Sequence, residues 1–128
     1  MKPTALLAVL PAAALVAVVP IAAPASGQAA PDGKAVFDAR CKSCHSLDPK
    51  QRAVLGPNLQ GVIGRKAGST DFRYSPAIKS SGIVWSRKNL DSFMAAPGKV
   101  VPGTRMVIAL PDPAQRAAVV SYLAGNKQ

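Results

Sequence analysis

The two cysteines of this 128-residue chain and its one histidine stand within a run of five residues, Cys41-Lys42-Ser43-Cys44-His45. A C-x-x-C-H run is the attachment pattern of c-type haem. The two thiols add across the vinyl groups of one porphyrin as thioethers, and the adjacent imidazole lies beneath the iron, where it can bind the metal. The run therefore predicts one covalently attached haem held by Cys41 and Cys44, with His45 as an iron ligand.

Other uses of the same residues fit the composition less well. A structural zinc site normally takes four Cys or His ligands, and the chain offers two Cys and one His. A thioredoxin-like redox pair needs a βαβ setting, whereas the sequence has no clear strand pattern. A disulfide between the two cysteines stays open as an alternative, although it would give the histidine no role.

The first thirty residues differ in composition from the rest. After Met1-Lys2 no charged residue occurs from position 3 to position 31, and Ala, Val and Leu predominate. Ala23-Pro24-Ala25 places small residues where a signal peptidase reads them. We expect residues 1–25 to be a secretory signal peptide, cleaved between positions 25 and 30, and residues 26–128 to form a single domain. An uncleaved membrane anchor is the alternative.

Export agrees with the predicted cofactor, because c-type haem is attached outside the cytoplasm in bacteria; we therefore expect a periplasmic protein. The formal net charge is +10, from 16 Lys and Arg against 6 Asp and Glu. A basic surface of this kind attracts anionic partners. The positive residues are dispersed and accompany no motif that reads nucleic acid, so the sequence predicts no nucleic-acid partner.

Three segments predict helices. The first starts at Asp32, a plausible N-cap, and runs into Cys41. The second starts near Ser86 and ends before Pro97, with apolar residues at helical spacing. The last runs from Asp112, followed by a proline at the first helical position, to Gly125. Between the first two, residues 50–81 are rich in Pro and Gly and predict mainly loop.

A low-spin haem would need Met, Lys or a terminal amine as its second iron ligand, because His45 is the only histidine of the chain. With Met1 in the predicted signal peptide, the candidates are Met94 and Met106. Met94 lies on the apolar face of a predicted helix, which favours a place in the core. Met106 follows a Pro-Gly turn that can present a thioether from a stiff loop, although a buried gap-filling methionine is the alternative. The sequence favours Met106 as the ligand.

Short motifs recur in a fixed order from position 33 to position 123, and together they resemble the class I cytochromes c of the mitochondrial and bacterial photosynthetic type. Each motif alone is weak, but their order and spacing are specific. They are Gly33-x-x-x-Phe37, Cys41-x-x-Cys44-His45, Gly56-Pro57-Asn58-Leu59-x-Gly61, Gly64-Arg65-Lys66-x-Gly68, Phe72-x-Tyr74-Ser75, Trp85, Pro102-Gly103-Thr104-x-Met106 and Tyr122-Leu123.

The resemblance implies an all-α, small cytochrome c fold in which short helices and long loops wrap around one covalently bound haem. It implies that Cys41 and Cys44 hold the haem and that His45 and Met106 are its axial ligands. The carbonyl of Pro57 would accept a hydrogen bond from the other ring nitrogen of the histidine, which fixes the ring and strengthens it as a donor.

The resemblance also assigns residues to the surroundings of the haem. Arg65, Tyr74 and Trp85 would surround a buried propionate, because a carboxylate in a low-dielectric site needs a charge partner or N–H and O–H donors. Thr104 and Phe93 would lie near the methionine.

Other positions concern packing or depart from the family pattern. Gly33 would let the first and last helices touch, with Phe37 and Tyr122 packed nearby. Ile108 stands where the family usually carries an aromatic residue after the methionine loop. Phe93 stands where a tyrosine is usual, so that a hydroxyl and one hydrogen bond near the methionine sulfur are lost.

The function that the resemblance implies is that of a soluble, monomeric electron carrier and not of an enzyme, since two axial ligands leave the iron no open position. Its expected partners are acidic docking surfaces on a cytochrome bc-type reductase, a terminal oxidase, a reaction centre or a dehydrogenase. Arg40, Lys99 and Arg105 are the basic residues expected around the haem crevice.

Two other functions stay open. One is a haem c subunit of a periplasmic dehydrogenase complex, with the same chemistry and a permanent partner. The other is a peroxidase-like haem enzyme whose methionine ligand dissociates. The chain has no second histidine to act as a distal acid and base, which disfavours the enzyme.

Overall fold

The computed structural model describes residues 29–51 and 55–126, so the predicted signal peptide, residues 1–25, lies outside the described residues. Within the described ranges the chain forms five helices. None of these has the length and hydropathy of a bilayer-spanning segment. The prediction of an all-α fold with short helices is confirmed. The helices are α1 Gly33–Arg40, α2 Pro76–Ser80, α3 Arg87–Ala95, α4 Pro97–Val100 and α5 Pro113–Gly125.

The first and last helices begin where the sequence predicts, because an aspartate caps each of them. The Asp32 carboxylate accepts a hydrogen bond from the backbone N–H of Lys34 at 3.1 Å. The Asp112 carboxylate accepts from Ala114 at 2.8 Å and from Gln115 at 3.2 Å. These carboxylates satisfy backbone donors that a helix start leaves without an intrahelical partner, which stabilises the helix by about 1 kcal/mol per cap.

The middle helix, α3, starts with a capping box between Ser86 and Asn89. The Asn89 N–H donates to the Ser86 hydroxyl at 3.2 Å, and the Ser86 N–H donates to the Asn89 side-chain oxygen at 2.7 Å. The helix ends at Ala95, as predicted. Pro97 then opens α4, a single turn that the sequence did not predict.

The prediction of mainly loop for residues 50–81 is wrong at its end, where α2 forms. Ser75 is the N-cap of α2 and Pro76 is its first residue. Proline suits this position because its ring already fixes a helical φ and the missing N–H would have no partner there. Elsewhere in the described part of this segment the chain is irregular, apart from an isolated antiparallel bridge between Lys66 and Val84.

Helices α1 and α5 cross at a point where only a glycine fits. A Cβ atom on Gly33 would collide with the backbone carbonyl of Ala118 and would lie 2.8 Å from the Cβ of Tyr122. Beside this crossing the rings of Phe37 and Tyr122 pack with centroids 5.8 Å apart. The predicted helix contact and its aromatic neighbours are confirmed.

The core forms where α5 packs against α1 and α3. Val119 of α5 is fully buried. Burial of the apolar faces of these helices provides the main stabilisation of this small domain. The other buried residues of these three helices are Val36, Phe37, Leu90, Phe93, Met94, Val120 and Leu123.

Candidate functional site

The Cys41–His45 run follows directly from the end of α1 and turns tightly. The Cys41 N–H donates to the Phe37 carbonyl at 2.9 Å and caps the helix, and the N–H groups of Cys44 and His45 both donate to the Cys41 carbonyl, at 3.0 and 2.9 Å. This turn brings the two half-buried cysteines and the histidine together on one short piece of backbone.

No disulfide joins the two cysteines. Burial raises the pKa of the Cys41 thiol. Two thiols at this spacing beside one histidine fit covalent attachment of a porphyrin.

The His45 ring is fixed by the segment that follows residue 55. Its Nδ1 lies 2.8 Å from the carbonyl oxygen of Pro57, as the resemblance implies. Because a carbonyl only accepts, Nδ1 carries the proton and Nε2 keeps its lone pair for a metal. Burial lowers the pKa of His45, more than the hydrogen bond to Pro57 raises it. The ring is thus neutral and oriented, the state in which a histidine ligates iron.

Gly56 makes this ring position possible. A Cβ atom at Gly56 would lie 2.5 Å from Cε1 and 2.7 Å from Nδ1 of His45, inside van der Waals contact. The residue before Pro57 therefore has to be a glycine for the ring to reach the carbonyl. The Gly56-Pro57 pair was visible in the sequence, but the role of Gly56 depends on a contact eleven residues away.

Arg65, Tyr74 and Trp85 lie close together, as the propionate prediction requires. The backbone N–H of Trp85 donates to the backbone carbonyl of Arg65 at 2.9 Å. Burial lowers the pKa of the Arg65 guanidinium, and the nearby phenol of Tyr74 offsets part of that effect. Trp85 is buried and packs against Phe93 with ring centroids 5.0 Å apart.

The polar groups of this cluster also have partners within the protein. The Arg65 guanidinium donates to the carbonyls of Gln60 at 2.8 Å and Asn58 at 2.7 Å. The hydroxyls of Tyr74 and Thr70 lie 2.6 Å apart. Sequence reasoning missed Thr70, because nothing in an irregular loop indicates which hydroxyl will meet Tyr74. The propionate role of the cluster stays a prediction.

The two candidate methionines differ in their surroundings. Met94 lies in the core of the protein, 6% exposed, as its place on α3 predicts. Met106 is half-buried in the irregular loop between Val101 and Leu110, outside any helix. The choice of Met106 as the second iron ligand stays a prediction.

The start of the Met106 loop is stiffened by its own hydrogen bonds. The Thr104 N–H donates to the Val101 carbonyl at 3.0 Å, and the Met106 N–H donates to the Thr104 hydroxyl at 3.3 Å. Gly103 has φ +88°, which a side chain would disfavour. Thr104 is thus beside Met106, as the resemblance implies.

The surface next to Met106 combines apolar and positive side chains. Val107 is 84% exposed and Ile108 is 62% exposed. Arg105 is exposed, and its guanidinium donates to the Arg73 carbonyl at 3.2 Å. Isolated exposed apolar residues are ordinary, but two in succession beside a candidate ligand indicate a contact surface.

Comparisons with known proteins agree with this geometry. The family model for cytochrome c matches residues 30–127. A cytochrome c of Theileria annulata is 45% identical over 92 residues, which are 71% of this chain and 80% of the relative. The cytochrome c2 of Rhodomicrobium vannielii is 44% identical over 105 residues, 78% of this chain and 83% of the relative.

A solved structure also resembles the fold. Cytochrome cH from Methylobacterium extorquens superimposes with a TM-score of 0.67 at 38% identity, covering 73% of this chain and 94% of that protein. The chain belongs to the cytochrome c family. Its cofactor is a covalently attached haem c, which confirms the prediction from the Cys41–His45 run.

Proposed function

We propose that this protein is a one-electron carrier whose haem iron is ligated by His45 and Met106. The observation that carries the proposal is the orientation of the His45 ring: Gly56 leaves room for it, and the Pro57 carbonyl accepts from Nδ1, which leaves Nε2 free. When bound, the haem supplies an iron that alternates between two oxidation states. With a methionine as the second ligand no coordination position stays open, and the chain has no second histidine for acid–base chemistry on a substrate.

The remaining site residues position the ligands and balance charge. Pro57 keeps His45 in one tautomer, and Thr104 holds the backbone of Met106. Arg65 uses two of its donors on backbone carbonyls and keeps others for a haem propionate, since a guanidinium has five N–H donors. A buried positive group beside a carboxylate stabilises that charge in a low-dielectric site.

The carrier exchanges electrons through a surface that includes Val107, Ile108 and the preceding Arg105. We expect Arg40, which precedes Cys41, and Lys99 to add positive charge around the haem crevice. All five are exposed. Positive charge around an apolar contact steers acidic partners and speeds their encounter. The partner class is a reductase, oxidase, reaction centre or dehydrogenase with an acidic docking surface. Association rates with such a partner should fall as ionic strength rises, and rates that do not fall would contradict the docking surface.

The protein works in the periplasm, as the apolar segment 3–31 and the haem attachment motif indicate. Mass spectrometry of the protein from the periplasmic fraction is expected to find a first residue between positions 26 and 31 and the added mass of one haem. A full-length chain in the membrane fraction would identify the leader as an anchor.

The ligand assignment is tested with two methionine variants. In Met106→Ala the oxidised protein should lose the methionine-to-iron absorption band, because the thioether is gone. In Met94→Ala the band should persist, since that side chain lies in the core. Both proteins are titrated optically against redox mediators, and the wild type should follow a one-electron curve. Loss of the band in Met94→Ala alone would refute Met106 as the ligand.

A further inference from the structure

The end of the Met106 loop is held more firmly than the loop itself. Leu110 is buried, 7% exposed, and its N–H donates to the Met94 carbonyl on α3 at 2.8 Å. The two residues before it contrast with it, because Ile108 and Ala109 are exposed. The chain therefore passes from an exposed loop to a fixed point at Leu110.

A guanidinium from α5 reinforces this fixed point. Arg116 donates through Nη1 to the carbonyls of Leu110 at 3.0 Å and Pro111 at 2.7 Å. Its Nε donates to the Asp91 carboxylate of α3 at 2.9 Å. The Arg116 side chain is 13% exposed, whereas that of Asp91 is 40% exposed. One buried cation thus joins α3, α5 and the end of the loop.

The two charged residues have different roles in this contact. Asp91 binds Nε and so orients the guanidinium plane, which leaves Nη1 aimed at the two carbonyls. Hydrogen bonds from a charged donor are stronger than neutral ones, and a partly buried guanidinium that loses its acceptors is costly. Any movement of the loop that displaces Leu110 and Pro111 has to break these bonds.

We propose that Arg116 is a positioning residue for the iron ligand: oriented by Asp91, it clamps Leu110 and Pro111 and thereby limits how often the Met106 loop opens. The proposal rests on the proposed function in taking Met106 as the ligand. The clamp lies four residues beyond Met106 and contacts backbone atoms of the loop, so it acts through the loop and not on the haem.

The test uses the haem-loaded protein with the variants Arg116→Met and Asp91→Asn. Hydrogen exchange of the Leu110 amide reports opening of the loop whatever the iron ligand is, because this N–H is bonded to Met94. The rate at which added imidazole binds the oxidised iron reports departure of Met106. Matched controls are Asp38→Asn, which removes an exposed ion pair on α1, and Arg87→Met at the exposed start of α3.

In Arg116→Met we expect the rates of Leu110 amide exchange and of imidazole binding to rise roughly 10- to 100-fold. This range is the free energy of the lost charged hydrogen bonds expressed as a change in rate. Asp91→Asn should give a smaller rise and no further rise in the Arg116→Met background, because the two residues act as one unit. The controls should leave both rates unchanged. If Arg116→Met does not fold, the milder Asp91→Asn variant still tests the proposal through the same two rates.

Two outcomes separate the clamp from other roles. If Arg116→Met lowers the free energy of unfolding but leaves Leu110 exchange and imidazole binding unchanged, Arg116 merely packs α3 against α5 and the clamp is refuted. If Leu110 exchange rises but imidazole binding does not, the clamp on the loop stands and Met106 is not the ligand, which refutes the proposed function instead.

Discussion

The two sides of the haem site are built differently. On the histidine side, residues 45–48 are hydrogen-bonded to residues 57–59. The Leu59 N–H donates to the Ser46 carbonyl at 2.9 Å, the Asn58 side chain donates to the Asp48 carbonyl at 2.7 Å, and His45 bonds to Pro57. On the methionine side, hydrogen bonds concentrate at the two ends of the loop, and its exposed tip follows Met106.

This difference shows how each candidate ligand is held. The histidine is fixed by its neighbours in sequence and by an acceptor for its ring, so its position follows from local backbone. The methionine is fixed by where its loop begins and ends. We therefore expect ligand exchange to begin at Met106, and we expect stability to depend on the ends of the loop and not on its tip.

The largest effect is expected from truncating the buried side chain at the end of the loop. Leu110→Ala should lower the free energy of unfolding by about 3 kcal/mol, because it deletes a buried side chain and leaves a cavity. Ile108→Ala, two residues earlier and 62% exposed, should change it by less than about 0.5 kcal/mol. Chemical denaturation of the haem-loaded proteins measures both. Equal losses would show that the tip supports the loop as much as its end.

A smaller effect is expected from crowding the histidine. Gly56→Ala places a methyl group 2.5 Å from the His45 ring, so the ring or the backbone has to shift, at a cost of about 2 kcal/mol. The histidine signals in the NMR spectrum should move as well.

The matched control for this crowding is Gly98→Ala, where a methyl group meets open space within α4. We expect its stability to be unchanged or raised by up to about 1 kcal/mol. If Gly56→Ala is as stable as Gly98→Ala, the backbone around His45 is less rigid than we expect.

The smallest effect is expected at an exposed ion pair on α1, the helix that precedes Cys41. A hydrogen bond from Lys34 holds the pKa of the Asp38 carboxyl below its usual value of 3.8. A carboxyl with a lower pKa in the folded state stabilises the fold above the unfolded pKa, and this contribution is lost as the pH falls through the folded pKa. NMR titration of Lys34→Gln should return the pKa toward 3.8, whereas Lys79→Gln should not change it.

Much of the histidine side could be predicted from sequence because its information is local. The Cys41–His45 run specifies the attachment chemistry within five residues, and Asp32 caps the helix before it. The same holds for the ends of α3 and α5, which carry cap residues at the right spacing. The short helices α2 and α4 were missed, since one turn has too few residues to show a periodic apolar pattern.

The contacts of the methionine side were harder to predict because they join distant parts of the chain. Arg105 and Arg73 are 32 residues apart, and Arg116 and Asp91 are 25 residues apart. Nothing in the sequence near Arg116 indicates that its acceptors are the carbonyls of Leu110 and Pro111, because these depend on how α3 and α5 pack.

The sequence by itself indicated the cofactor, the candidate histidine ligand, the all-α class and the family, since the attachment run, the helix caps and the ordered family motifs are all read along the chain. The tertiary structure decided that His45 needs a glycine at position 56 and that one arginine bonds to the end of the Met106 loop. Those facts arise from van der Waals exclusion and from hydrogen bonds between segments that meet only when the chain is packed.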